Sequence, residues 1–469
     1  MTVTELTGKH VIVLGFARQG KALARWLPDQ GARVTISDSR NMGDIADDMI
    51  DFFGSPVEFA LGGHPLELLD NADLICVSGG VPLDIPFLQT ANERGIPLTN
   101  DANLFLERCP ALVIGITGSA GKTTTTTLVG KMCAADGRTT WVGGNIGDVL
   151  LEDLSKIKED DIVVMELSSF QLELATVSPD IAAILNITPN HLDRHKSMQN
   201  YVAAKANIFA HQQGDDLVIL GGDNGTTMAL EELAPAQVGF FSTQRMVSNG
   251  AFLLGQRLAV VGSSSPTGAA RVVCEKDEIK LRGEHNVSNV LAACALAGAA
   301  GINPDAMRKV ILEFRGVEHR LEVVAEFDGI TWINDSIATA PERVVAAMRS
   351  FEEPLILLAG GRDKDLPWAE MAGIAVERCK AVIAFGEHGR TIGQIVSYAR
   401  RGKMGGRLEQ VEVVTTLDEA VQLAEKFATG GDVVLLSPGG TSFDSYRDFA
   451  QRGEHFRQLV NNIKKRRQL

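Results

Sequence analysis

Short apolar, β-branched runs alternate along the chain with segments of helical spacing. The pattern predicts strands at His10–Leu14, Arg33–Ser37, Asp73–Val77, Leu112–Ile116, Asp161–Glu166, Ala182–Ile187 and Asp216–Leu220, and later at Ile330–Asn334, Pro354–Ala359, Ala381–Phe385 and Asp432–Ser437. Continuous apolar strands between helices indicate parallel sheets covered on both faces, hence an α/β architecture. The strand–turn–helix pattern starts three times: at HVIVLGFARQGKALARWL, at ALVIGITGSAGKTTTTTLV, and after EFRGVEHR with GITWINDSIATAPERVVAAM. Breaks near residues 100 and 316 divide the chain into three parts. Residues 239–278 are rich in Gly and Ser and read as a β excursion before a helix around 286–299. Neither a low-complexity linker nor a fixed-period repeat interrupts this pattern.

Composition changes the picture little. The 469 residues, 45% hydrophobic and 22% charged, are ordinary globular material. A net charge of -14 argues against a nucleic-acid binder, which would carry a basic surface. The six cysteines include no CxxC pair, so neither a disulfide framework nor a zinc site is indicated. The start, MTVTELTGKHVIVLG, lacks a signal-peptide layout, and no apolar run is long enough to span a bilayer. The expectation is a cytoplasmic protein without a membrane or nucleic-acid partner.

Candidate chemistry begins at Thr117-Gly-Ser-Ala-Gly-Lys-Thr-Thr124, a glycine-rich turn between a strand and a helix. Backbone N–H groups of such a turn converge on phosphate oxygens, and the helix N-terminus adds positive potential. Lys122 would reach the outer phosphates, and Thr123 or Thr124 would offer a hydroxyl to Mg²⁺. The general pattern wants glycine where Ile116 stands; Gly115 comes one place early. The alternative is a Gly/Ser/Thr turn opening an ordinary helix. Glu166 ends the next predicted strand, where a carboxylate beside a phosphate loop binds Mg²⁺ or positions water; a solvent-facing strand end is the alternative. His191 and Asp193 follow a further strand on the same carboxyl edge. Lys205, on the helix after them, reads as a surface lysine from its surroundings alone. The turn Gly15-Phe-Ala-Arg-Gln-Gly20 with Asp38 imitates a dinucleotide fingerprint lacking its middle glycine, which suits a nucleotide or nucleotide-sugar better than NAD. The tail Lys464–Arg467 reads as a solvated helix end, Phe449, Phe456 and Val460 as packing residues, and Trp26, Trp141 and Trp332 as core.

Taken together, TGSAGKTT, ELSSFQLE, LNITPNHLDRH, YVAAK, GEHNVSNVLAA, GVEHRLE, NDSIAT and LLSPGGTSFDSYRDFAQRGEHF resemble the Mur ligases, ATP-dependent amide-forming enzymes of peptidoglycan precursor synthesis. The resemblance covers essentially the whole chain. ELSSFQLE, Asp38-Ser39-Arg40 and SFDSYRDFAQRGEHF resemble the branch that adds D-glutamate to UDP-N-acetylmuramoyl-L-alanine, with another carboxylate–amine ligase, such as a folylpolyglutamate synthetase or an L-glutamate-adding relative, as the alternative. It implies a Rossmann-like UDP-substrate domain (1–100), a central ATPase domain (101–316) and a Rossmann-like C-terminal domain (317–469) that closes over the site of a monomer. By motif, Thr117, Gly118, Ser119, Ala120, Gly121, Lys122, Thr123 and Thr124 would hold ATP. Thr123, Glu166, His191 and a carbamylated Lys205 would bind Mg²⁺, two ions in all. Asn286 and Asn289 would meet adenine, and His319, Arg320 and Asp335 would reach ATP from the third domain. Gly15, Phe16, Ala17, Asp38, Ser39, Arg40, Ser78, Gly79 and Asn145 would hold the uridine diphosphate. Thr339, Lys364, Ser442 and Phe449 would surround the amino acid. Lys122, His191, Lys205 and Arg320 would carry catalysis. One departure stands out: Asp335-Ser-Ile-Ala-Thr339 has Ile337 where the family often has lysine, with Arg362 as a candidate substitute cation.

Overall fold

The computed structural model describes residues 5–147, 149–281, 283–363, 366–402 and 405–467. The chain forms two compact units divided between Phe314 and Arg315. The first unit holds two sheets and the second unit one, giving three α/β domains.

The first sheet contains β1 (His10–Leu14), β2 (Arg33–Asp38), β3 (Val57–Leu61), β4 (Leu74–Val77) and β5 (Leu98–Thr99), all parallel, in the order β3-β2-β1-β4-β5. The second contains β6 (Leu112–Thr117), β7 (Thr140–Gly144), β8 (Ile162–Glu166), β9 (Ile181–Ile184), β10 (Leu217–Gly221), β11 (Gln237–Ser242), β12 (Gly250–Leu254), β13 (Arg257–Gly262) and β14 (Gly268–Glu275). Its order is β14-β13-β12-β11-β10-β9-β6-β8-β7, so β6 sits centrally between β9 and β8. The β excursion is an extension of this sheet: β11 to β12 is parallel, and β12, β13 and β14 then run antiparallel. A 16-residue helix, Glu284–Ala299, follows.

In the second unit, β15 (Glu322–Phe327), β16 (Ile330–Asn334), β17 (Leu355–Gly360), β18 (Cys379–Phe385), β19 (Gln410–Val413) and β20 (Val433–Gly439) lie in the order β15-β16-β20-β17-β18-β19. Among the described strands, β15 and β16 pair antiparallel and the others parallel. β8 and β17 are buried along their whole length, as expected of strands covered by helices on both faces. One hydrophobic cluster runs from Val11, Leu23 and Trp26 through Leu104 and Phe105 to Val113, Leu150 and Val163, joining the first two sheets.

Strands β3, β5, β7, β15 and β19 escaped the sequence pattern. Four are half-exposed edge strands, and β5 has only two residues. Trp141 is half-buried rather than core, with its indole N–H donated to Asp161 at 2.9 Å. Phe456 and Val460 are buried, whereas Phe449 is 36% exposed. The basic tail is tied down in part: Arg466 pairs with Glu425, and Arg467 with Glu425 and Asp328. All six cysteines are free thiols. Among the described residues no helix is long and apolar enough to cross a membrane.

The turn after β1 shows why its second glycine is needed. A Cβ at Gly20 would lie 1.8 Å from the Gly15 carbonyl oxygen, because the helix Arg18–Asp29 is seated directly against that turn. Gly20→Ala should therefore destabilise the fold by about 1–3 kcal/mol, the usual range for overpacking. Urea unfolding measures the shift, and an unchanged midpoint would show that the turn opens freely.

Candidate functional site

Open parallel sheets collect ligands at their carboxyl edges, where the strand order reverses. In the first sheet that point lies between β1 and β4. A cleft of about 300 Å³ there is lined by Gly15, Phe16 and Ala17 after β1, Asp38, Ser39 and Arg40 after β2, Ser78 after β4, and Asn145 from the second sheet. Gly79 adjoins it, its N–H donated to Gln19 at 3.0 Å. Asp38 is buried, and both its oxygens are taken within the protein. Oδ1 accepts from the Arg40 N–H (2.9 Å) and Arg40 Nε (3.0 Å), and Oδ2 from the Phe16 N–H (2.7 Å) and an Arg40 terminal nitrogen (2.8 Å). The Arg40 side chain, with the two backbone donors, holds the carboxyl at about 2 against the opposing effect of burial. Asp38 therefore shapes the cleft by fixing Arg40 and the Phe16 turn.

The sequence reading missed His64, which lines the same cleft. Its Nδ1 lies 2.8 Å from Ser37 Oγ, and that hydroxyl also donates to the Gly63 carbonyl at 3.1 Å. With Ser37 donating to Gly63, Nδ1 carries the ring proton and Nε2 is left as an acceptor. His64 follows Gly62-Gly63 at the end of the overlooked β3; the glycine pair was the available signal. Arg18 was also missed. It lines the cleft and donates to the Gly144 and Gly147 carbonyls of the loop that carries Asn145.

The second sheet reverses at β6, and the glycine-rich turn leaves that strand. Gly115, one place early for the general pattern, serves packing instead: a Cβ there would meet Pro179 at 2.5 Å. Gly121 takes φ +85° and lies so close to Asn289 that a Cβ would fall 2.2 Å from its side-chain oxygen. Asn289 in turn donates to Asn286 at 3.0 Å, so both asparagines stand beside the turn. Ser119, Ala120 and Asn186 brace the loop from within: the Ser119 N–H meets the Asn186 carbonyl, and the Ala120 amide exchanges two bonds with the Asn186 side chain.

The Gly118 carbonyl accepts from both Lys122 Nζ and Lys205 Nζ, each at 3.0 Å, and Lys205 also reaches Thr117 Oγ1 at 3.3 Å. Lys205 is 1% exposed, which overturns the surface-lysine reading. Burial, reinforced by the Lys122 charge and opposed by Glu166, pulls its pKa down to about 7. On the other side of the loop, Thr123 donates to Glu166 Oε2 at 2.8 Å and Asn145 to Oε1 at 3.0 Å. His191 has φ +53° and sits edge-on to Phe170. Its pKa is lowered by burial and, despite Asp193, by the charges of Lys122, Lys205 and Arg194. Arg194 covers the Phe170 ring and donates to the Gly80 and Val81 carbonyls at 3.2 Å each, tying the His191 turn to the cleft.

In the second unit, Asp335 follows β16 and is buried. It accepts from Ser437 Oγ (2.8 Å) and the Leu321 N–H (3.2 Å), and burial pushes its pKa up to about 7. His319 is bonded to Asn334 at 3.0 Å, and Arg320 shares a cavity wall with Asp335. Thr339 precedes the helix Pro341–Arg349, Ser442 follows β20, and Phe449 opens the helix Phe449–Arg467. Arg452, unflagged by sequence, is fully buried and fastens these segments, donating to Ser336 Oγ (3.0 Å), the Ser336 carbonyl (2.9 Å) and the Gly440 carbonyl (3.2 Å). Lys364 lies outside the described residues. Arg362 pairs with Glu387 at 2.9 Å, so its charge is already engaged.

Comparison with known proteins agrees with this layout. Family models match in chain order: a Mur ligase MurD-like N-terminal domain over residues 9–100, a Mur ligase middle domain over 116–297, and a Mur ligase glutamate ligase domain over 319–440. The chain is 38% identical over 459 residues to a UDP-N-acetylmuramoylalanine–D-glutamate ligase of Acetivibrio thermocellus, covering 98% of this chain and 97% of the relative. The chain belongs to the Mur ligase family. A similarly named ligase of Clostridium botulinum is 39% identical to this Mur ligase, with 97% of both chains covered. Among solved structures, UDP-N-acetylmuramate-alanine ligase of Thermotoga maritima shares the fold of this Mur ligase at a TM-score of 0.55 and 20% identity, covering 97% and 99% of the two chains. MurF from Acinetobacter baumannii does so at 0.53 and 18%, covering 98% and 92%.

The state of Asp38 is measurable. A carboxyl held below its ordinary value of 3.8 stabilises the fold above that pH, and the contribution is lost as pH falls toward about 2. The melting temperature should drop between pH 4 and pH 2 by more in the wild type than in Asp38→Asn. Parallel curves would remove Asp38 from the cleft's framework.

Proposed function

We propose that the protein is an ATP-dependent ligase that joins D-glutamate to UDP-N-acetylmuramoyl-L-alanine, forming ADP and phosphate, in the cytoplasm. The observation that carries this is the buried Lys205 beneath a phosphate loop flanked by Glu166 and Thr123, in a chain related over its whole length to enzymes named for that reaction. The cleft of Gly15, Asp38 and Ser78 takes the uridine diphosphate, and the loop Thr117–Thr124 takes the triphosphate.

Amide formation needs activation, because oxide is not a viable leaving group. The carboxylate of the first substrate attacks the γ-phosphorus of ATP, giving an acyl phosphate and ADP. The amine of glutamate then attacks the acyl carbon, and the tetrahedral adduct expels phosphate. Lys122 neutralises charge on the transferred group, and the Asn186 bracing keeps the loop's shape fixed around it; phosphoryl transfer asks chiefly for alignment and charge compensation. No nucleophilic side chain is required. By motif, Asn286, Asn289, Arg320 and Asp335 would serve the nucleotide, and Thr339, Lys364, Ser442 and Phe449 would receive the amino acid.

The donor set fits Mg²⁺. Among the described residues no cluster of three His, Cys, Asp or Glu could hold a metal unaided. Thr123 and Glu166 offer a hydroxyl and a carboxylate, which suits an ion that takes its remaining ligands from phosphate and water. His191 and a carbamate on Lys205 would hold a second ion. When bound, Mg²⁺ supplies charge neutralisation for the converging anions. A carbamate turns the Lys205 cation into the anion such a site requires, and burial already disfavours the ammonium.

Supplying ATP and UDP-N-acetylmuramoyl-L-alanine without amino acid, then reducing with borohydride, should yield the alcohol derived from an acyl phosphate. An amino-acid panel including both enantiomers should show phosphate release with D-glutamate above all others; equal response to L-glutamate or to none would reject the assignment. Lys205→Ala should lose at least 100-fold in kcat, roughly 3 kcal/mol or more by the usual conversion, with partial recovery on adding a short carboxylate. ¹³C-bicarbonate labelling of the wild type should give a carbamate resonance absent from the variant.

A further inference from the structure

The turn that carries His191 has an uncommon backbone. Its four-residue helix, Leu192–His195, lies between two non-glycine residues in the left-handed region, His191 at φ +53° and Lys196 at φ +66°. Residues with a Cβ seldom adopt that region and stay there only where the surrounding structure holds them. Arg194 is one anchor, through the Gly80 and Val81 carbonyls. His195 is another. It is buried, and its Nε2 lies 2.9 Å from the buried hydroxyl of Ser169, which follows the strand ended by Glu166. Its Nδ1 lies 3.0 Å from Glu173 Oε1 but outside hydrogen-bonding geometry. The imidazole stacks on Phe170, centroids 5.1 Å apart and planes within 3°, and His191 meets the same phenyl ring edge-on at 5.2 Å. The His195 N–H donates back to the His191 carbonyl at 3.0 Å.

Packing alone explains a buried aromatic ring between Phe170 and Tyr201, and phenylalanine would serve that purpose. It does not explain the bond from the imidazole to Ser169. That bond runs from the turn of His191 to the segment leaving β8, so it joins the backbone near one candidate Mg²⁺ ligand to the backbone near the other. Both paths are short: Ser169 follows Glu166 by three residues, and His195 follows His191 by four. Resting on the ligation reading, we propose that His195 is a positioning residue. Its bond to Ser169 holds the His191 turn in its left-handed form and in fixed register with the end of β8, so that His191 and Glu166 serve the metal as one unit. Partners of this kind, which touch no metal themselves, orient the groups that do.

The experiment uses the full chain with ADP present and Mn²⁺ as the probe, its binding read by water-proton relaxation. His195→Phe keeps the stacked ring and loses the bond; Ser169→Ala removes the same bond from the other end at the cost of one oxygen atom. Each variant should bind Mn²⁺ about tenfold or more weakly, within the range known for outer partners of metal ligands. The Mg²⁺ concentration that half-activates ligation should rise in parallel. The double variant should be no more than about threefold weaker than the worse single one, since both changes cut one bond. If His195→Phe does not fold, Ser169→Ala decides alone. A Ser169→Ala protein with a lowered melting temperature but Mn²⁺ affinity less than tenfold reduced, or single losses that multiply in the double variant, would overturn the proposal and leave His195 a packing residue. A wild type that binds no Mn²⁺ or does not ligate would instead reject the ligase reading.

Discussion

The chemistry depends on one enforced crowding. Two lysine ammonium groups share the Gly118 carbonyl, and one of them, Lys205, is almost wholly removed from water. A buried cation is tolerated only when it is paired or neutralised, and the described partners of Lys205 are this neutral carbonyl and the Thr117 hydroxyl. The turn is therefore poised for anions. Conversion of Lys205 to an anion would turn its repulsion by Lys122 into attraction. Position matters as much as identity: β6 lies between β8 and β9, so the strand ends place Glu166 on one side of the loop and the His191 turn on the other.

The nucleotide loop and the cleft of the first sheet are physically linked. Asn145 lines the cleft while its side chain holds Glu166, and Arg18 fastens the loop on which Asn145 lies. Arg194 makes a second tie, from the His191 turn to Gly80 and Val81. A ligand that shifts either rim of the cleft thus acts on the groups around the phosphate loop through one or two hydrogen bonds. The continuous hydrophobic cluster beneath keeps the two sheets in register for that coupling.

Much of this was legible in the residue pattern. Strands buried on both faces announce themselves as apolar runs, so β1, β2, β6, β8, β17 and β20 were found, together with the turns that follow them. Edge strands such as β3 and β19 alternate weakly and were not found, and His64, attached to β3, was lost with it. Lys205 shows a deeper limit. YVAAKANIF carries no local sign that its lysine points inward, because burial here comes from the packing of the helix Met198–Ala206 beneath a loop more than eighty residues away in sequence. Arg452 was invisible for the same reason. Only the family resemblance singled out Lys205. Asp38 was noticed for its place at a strand end, but composition could not reveal that Arg40 and Phe16 engage both its oxygens.

The low pKa of Lys205 also bears on which chemical form the site uses. Carbamate formation consumes a neutral amine. A lysine at its ordinary value near 10.4 is neutral at pH 7 in only about one molecule in 2,500. At about 7, burial and Lys122 leave a substantial fraction neutral. The surroundings that make the ammonium unfavourable thus supply the reactive form; burial and Glu166 would oppose a carbamate anion, whereas Lys122 would attract it and a bound cation would offset the rest. As an amine or ammonium, Lys205 has the Gly118 carbonyl and the Thr117 hydroxyl as its described partners, and neither carries a charge. A carbamate at Lys205 would therefore reverse the sign of its interaction with Lys122 and give a bound Mg²⁺ an anionic ligand at the base of the loop.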